Sequence, residues 1–149
     1  MYEIPKISVP VELCLVNQES IKGKLFLTED MISESGNPKV DEFLNKETDE
    51  FFPFESDAGA YRLISKRHVT FLRTFQDDRE IRSHTPIPPK SLVVYFTNGQ
   101  TLYGMVYGTM VEESRVSDII NDTVQFISLY QNGQRLVLNR EQIMYVNAK

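Results

Sequence analysis

One pattern occurs twice in this chain, and that restricts the fold to something a half-length unit can build. VELCLVNQESIKGKL, beginning at Val11, is matched by LVVYFTNGQTLYGMV, beginning at Leu92, with apolar positions, a turn Asn and a Gly at equivalent places. The match continues downstream. VDEFLN from Val40 pairs with VSDIIN from Val116, EFFPF from Glu50 with QFISL from Gln125, and GAYRLISKRHVTFL from Gly59 with GQRLVLNREQIMYV from Gly133. Two units of about 60 residues each lie near the lower size limit for an independent core, so each half is expected to lean on the other.

Within each copy the apolar residues alternate with polar ones, at Val11, Leu13 and Leu15 and then at Ile21, Gly23 and Leu25. This is the period of a half-buried strand. Residues 17–20 supply a turn, and Asn98-Gly99 stands at the same place in the second copy, so both halves open with a β-hairpin. Gly23 and Gly104 fall inside the second strand of each hairpin and are read as bend points. A single helical turn follows over 40–45 and 116–121, because apolar residues at i, i+3 and i+4 share one face. Asn45 and Asn121 are expected to stop these helices in a left-handed conformation, with Glu42 and Asp118 facing outward. Further strands are expected over 50–56, 61–65 and 68–72, and over 123–130, 135–139 and 143–146, with turns at Asp57-Ala58-Gly59 and Asn132-Gly133.

Between the halves, residues 73–90 read RTFQDDREIRSHTPIPPK. Closely spaced prolines remove backbone donors and favour an extended conformation, which predicts a semi-rigid connector. The expected organisation is therefore residues 1–72 as a first unit, 73–90 as a linker and 91–149 as a second unit.

The formal net charge is −5. Residues 11–72 carry seven Lys or Arg against twelve Asp or Glu, whereas residues 91–149 carry four against five, so the first half holds nearly all the acidity. An acidic domain repels phosphate backbones and argues against sequence-independent nucleic-acid binding. A single cysteine, Cys14, excludes an internal disulfide and points to a reducing, cytoplasmic setting. The opening residues lack a basic segment followed by an apolar one, and no apolar run approaches the roughly 20 residues that span a bilayer, so a soluble protein is expected.

Catalytic raw material is sparse. Cys14 stands where the second copy has Tyr95, and His68 where it has Gln142, so the duplicated plan requires neither; His84 lies in the linker. A nucleophile needs a base within hydrogen-bond reach, and a metal needs converging ligands; two histidines and one cysteine, all separated, promise neither. Asp77-Asp78 with Glu80 is read as a solvated linker face, and there is no Gly-rich phosphate loop. Tyr95, Phe96, Tyr103 and Tyr107 cluster in the second hairpin, where rings at alternate positions fill a core or pack the two halves together, with a stacking platform for single-stranded nucleic acid as the alternative. Lys66, Arg67 and Arg140, on the turns before the last strands, are the basic candidates for an anionic partner.

Two strands around a turn with an internal Gly, followed by strands closing on Leu138-Asn139-Arg140-Glu141-Gln142-Ile143, resemble the Sm-like small β-barrel. The Arg-Gly step of that pattern is absent, since Ser65-Lys66 and Asn139-Arg140 stand in its place. The chain is also similar to bacterial proteins of unknown function with an Arg-apolar-Ser-Asp-apolar-apolar-Asn element, here residues 115–121, and a Phe-apolar-Pro-apolar element, here residues 51–54. The resemblance implies a mainly β fold of two tandem small Sm-like or SH3-like β-barrels, each with a short helix and related by pseudo-symmetry. It further implies that Ser117, Asp118 and Asn121, with Asn45 in the first copy, form a structural cap. The functional expectation is a non-enzymatic interaction or regulatory module without cofactor or metal, engaging a protein partner or a second copy through exposed strand edges. An RNA-binding Sm-like protein is the alternative.

Overall fold

The computed structural model describes residues 6–32, 38–46, 49–77, 88–107, 116–121 and 124–148. The first half runs β1 (Lys6–Leu15), β2 (Ser20–Thr28), α1 (Val40–Lys46), β3 (Phe51–Ser56), β4 (Tyr61–Ser65), a 3₁₀ turn (Lys66–His68) and β5 (Val69–Asp77). The second half runs β6 (Lys90–Phe96), β7 (Thr101–Val106), α2 (Val116–Ile120), β8 (Phe126–Gln131), β9 (Gln134–Asn139), a 3₁₀ turn (Arg140–Gln142) and β10 (Ile143–Ala148). Among the described residues no helix is long and apolar enough to cross a membrane.

The strands form one antiparallel sheet in the order β10-β6-β7-β8-β9-β5-β1-β2-β3-β4. In place of the two separate barrels expected from the sequence there is a single continuous sheet that does not close. Registers nonetheless coincide between halves. Val11 faces Gly23 and Leu92 faces Gly104; Leu13 faces Leu72 and Val94 faces Val146; and the last strand of each half slips by one residue at the same place, after Val69 and after Ile143. Apolar alternation sets these registers, because a one-residue slip would turn every buried side chain to the opposite face.

The opening hairpin turns also match. Asn17 Oδ1 accepts from Glu19 N and Asn98 Oδ1 accepts from Gln100 N, each at 3.0 Å. Each turn then needs one left-handed residue, supplied by Gly99 (φ 88°) in the second half and by Gln18 (φ 71°) in the first. The glycines inside β2 and β7 mark a close approach of backbone, with no bulge in the strand. Pairing with β1 and β6 runs unbroken through them, and a Cβ on Gly104 would stand 2.6 Å from the Tyr130 carbonyl oxygen. Likewise a Cβ on Gly23 would collide with the Glu55 carbonyl. The missing side chain lets the third strand of each half cross tightly over the second.

Two apolar cores result, and each borrows from the opposite half. The first gathers Val11, Leu13, Leu25, Leu27, Val40, Leu44, Phe52, Phe54 and Leu72, and is completed by Phe126 and Val137 of the second half. The second gathers Leu92, Val94, Phe96, Val106, Leu129, Leu136 and Leu138, and takes in Cys14 and Phe71 of the first. Phe71 stacks on Phe96 with ring centroids 5.8 Å apart. Burying such a side chain is worth about 1.5–3 kcal/mol, so neither core is complete without its loans.

The expected linker begins later than the sequence suggested. β5 extends to Asp77 and β6 starts at Lys90, so only the middle of 73–90 lies between strands; residues 78–87, with Asp78, Glu80, His84 and Pro86, fall outside the described residues.

Candidate interaction surface

The centre of the sheet shows what these strand edges can do. β5 and β9 pair antiparallel, with Phe71 opposite Leu138, Leu72 opposite Val137 and Arg73 opposite Leu136. Side chains reinforce the ladder. Asn139, fully buried, donates from Nδ2 to the carbonyls of Lys66 (3.1 Å) and Val69 (2.9 Å), and its Oδ1 accepts from Glu141 N. Thr74 Oγ1 donates to the Arg135 carbonyl at 2.7 Å, and Gln142 Nε2 to the Arg67 carbonyl at 2.8 Å.

Helix α1 closes the same joint from one side. Asn45 does not end it in a left-handed turn: the helix runs on to Lys46, and among the described residues left-handed φ at non-glycines occurs only at Gln18 and Asn132. Asn45 instead reaches across to the second half, donating from Nδ2 to the Phe126 carbonyl at 2.8 Å and accepting Phe126 N–H at 2.7 Å. A planar side-chain amide mimics a neighbouring strand here, satisfying both backbone groups of the first residue of β8. Asp41, beside it, pairs with Arg135 at 3.1 Å.

The helix ends are met by the basic residues. Lys66 is buried, and its Nζ donates to the Leu44 carbonyl at 3.0 Å; at the equivalent place Arg140 Nη1 donates to the Ile120 carbonyl at 3.3 Å. A cation at a helix C-terminus satisfies a carbonyl lacking an intrahelical partner and opposes the negative end of the dipole. Two of the three residues expected to meet an anionic partner thus do helix-capping work in matched fashion, and Arg67 alone of the three is exposed. On α2 Asp118 is half-buried and Ser117 exposed, and Asn121, just past the helix end, is exposed.

Chemically reactive groups stay out of the way. Cys14 is buried, its Sγ 3.9 Å from Ser20 Oγ, and burial pushes its thiol pKa up. His68 Nδ1 pairs with Ser65 Oγ at 2.9 Å. Among the described residues no group of three His, Cys, Asp or Glu converges. Of the four aromatic residues in the second hairpin, Phe96 and Tyr107 are buried; Tyr95 stacks on Tyr145 at 4.5 Å, and Tyr103 is exposed.

What sequence reasoning left unlocated is at the two ends of the sheet. Among the described residues β4 and β10 each pair on one side only. Around β4 stand Phe51, Tyr61 and Leu63, and on β10 Met144 and Tyr145, all large, apolar and exposed. Beside β10 an open cleft of about 510 Å³ is lined by Val116, Ser117, Ile120, Asn121, Val146 and Ala148. A signal for them exists in the duplication: Phe51 aligns with Phe126 and Leu63 with Val137, apolar at both copies although only one copy is covered. No family model matches this chain, and neither the curated proteins nor the solved structures contain a match to it.

Proposed function

We propose that this protein is a non-enzymatic interaction module, a duplicated β unit that engages another polypeptide by strand addition at its free sheet edges. The observation that carries this reading is the pair of half-paired edge strands, β4 and β10, flanked by exposed apolar side chains. Unpaired N–H and C=O groups form a template for another strand, and natural proteins ordinarily blunt such edges with charge, proline or cover. β4, YRLIS, carries one charge and no proline. The lone, buried thiol fits a reducing cytoplasmic setting. An RNA-binding role draws little support, because Lys66 and Arg140 direct their charges to helix ends.

Affinity capture with the full chain, followed by hydrogen exchange on what is recovered, tests the proposal. Complexes with slowed exchange in β4 or β10 are expected; recovery of free monomer alone, or protection confined to other strands, overturns it. Short oligoribonucleotides at low salt, where phosphate attraction is strongest, should not be retained on filters.

A further inference from the structure

The joint at the middle of the molecule has two sides, and each side has an uncovered counterpart at one end of the sheet. On one side, Val40, Leu44 and Leu72 form a seat between α1 and β5; on the other, Phe126 and Val137 enter it from β8 and β9. By the matched positions of the duplicated pattern, the counterparts of the seat are Val116, Ile120 and Val146, which line the open cleft between α2 and β10. The counterparts of the inserted residues are Phe51 and Leu63, at the far end of the sheet. Phe126 and Val137 are 1% and 0% exposed, whereas Phe51 and Leu63 are 51% and 69% exposed. Phe51 matches Phe126 and Leu63 matches Val137 as apolar residues at the same register positions, covered in one half and exposed in the other.

We propose that the chain associates head to tail with second copies of itself, β10 of one copy pairing antiparallel with β4 of the next in the register of the internal joint. This rests on reading the free edges as the functional surface and names their occupant. Carrying the β5·β9 register over places Tyr145 opposite Ile64, Val146 opposite Leu63 and Asn147 opposite Arg62. Phe51 and Leu63 then fill the cleft, and Asn121, the counterpart of Asn45, meets the backbone N–H and C=O of Phe51 as Asn45 meets those of Phe126. Tyr145 takes the place of Phe71, reaching toward the partly covered Leu15 and Ile21 of the next copy's first core.

The internal joint has features its counterpart lacks. Ser117 and Tyr61 stand where Asp41 and Arg135 form their ion pair, and Ala148 lacks the hydroxyl with which Thr74 reaches the Arg135 carbonyl. The contact between copies is accordingly weaker than the joint within one copy, and assembly depends on concentration. Because it joins two different surfaces, it propagates into a ring where the rotation closes and into a filament where it does not.

Light scattering on the eluting full chain, from micromolar to near-millimolar concentration, reads the association directly. Mass is expected to rise above that of the monomer. Leu63→Arg places a charge on the inserting edge and Ser117→Arg places one in the cleft; both positions are exposed, so thermal melts should match wild type. Each variant alone should lose about tenfold or more in association constant. An equimolar mixture should form a one-to-one dimer and nothing larger, since one intact edge then meets one intact cleft. Phe51→Asp provides a second edge variant with the same expected rescue. A wild type that stays monomeric throughout, variants that assemble like wild type, or a mixture that fails to dimerise overturns the inference. If the wild type is monomeric yet captured complexes protect β4 or β10, the interaction module stands and self-association falls.

Discussion

Strands β9 and β4 hold the same place in the duplicated pattern, QRLVLN in one half and YRLIS in the other, yet one is the middle of a sheet and the other its border. β9 is flanked by β8 and β5, and its Leu136, Val137 and Leu138 are fully buried. Among the described residues β4 has β3 as its one neighbour, and Leu63 is exposed. Local sequence therefore makes both of them strands, while position in the assembled sheet decides which one contributes to stability. A residue's energetic weight here comes from what covers it.

The sharpest way to break that comparison is to place the same charge at both positions. Val137→Asp buries an unpaired carboxylate, a cost of several kcal/mol that consumes much of the stability of a domain this size. Urea unfolding should show a folded state lost or severely weakened. Leu63→Asp, measured in dilute solution, should stay within about 0.5 kcal/mol of wild type. Equal tolerance of the two substitutions would mean that the halves do not depend on their joint.

A smaller effect separates the two helix asparagines. Asn45→Ala leaves the N–H and C=O of Phe126 without their partners, and a loss of about 1–3 kcal/mol is expected. Asn121→Ala removes an exposed side chain and should change the unfolding midpoint by no more than about 0.5 kcal/mol. If both cost the same, the cross-half bonds of Asn45 carry no special weight.

The smallest effect concerns protons at the joint. Burial raises the pKa of Cys14, which sits in the second core, and burial raises that of Tyr130, against the lowering influence of the Arg135 guanidinium. Both groups hold their protons more tightly when folded than when unfolded. The resulting stability is present at neutral pH and is lost as pH rises past the ordinary thiol and phenol values of 9.0 and 10.0. Unfolding midpoints followed from neutral to alkaline pH should fall over that window. Alkylation of Cys14 near pH 8 should be much slower in native than in urea-denatured protein, and equal rates would contradict its burial.

Much of the fold was legible because its signals are local. Alternation gave the strands, with 61–65 matched at both ends and 135–139 within one residue of β9. Asn17 and Asn98 marked their turns because an Asn side chain satisfies the amide two residues on. The site was far less legible. Lys66 and Arg140 read as outward charges because sequence does not reveal a helix carbonyl 3 Å away. The close approach at Gly23 and Gly104 was not legible because the strand that meets them arrives from some thirty residues downstream.

The sequence by itself determined the elements: which segments are strands, where the hairpins turn, and that the same set occurs twice, all consequences of side-chain period and turn chemistry within a few residues. Only the tertiary structure decided that the halves share one sheet through β5 and β9, that each core is finished by the other half, and that β4 and β10 are left as borders. Those outcomes depend on which edges meet across more than sixty residues of chain, and equivalent strands with equivalent sequences are not distinguished until one of them is covered.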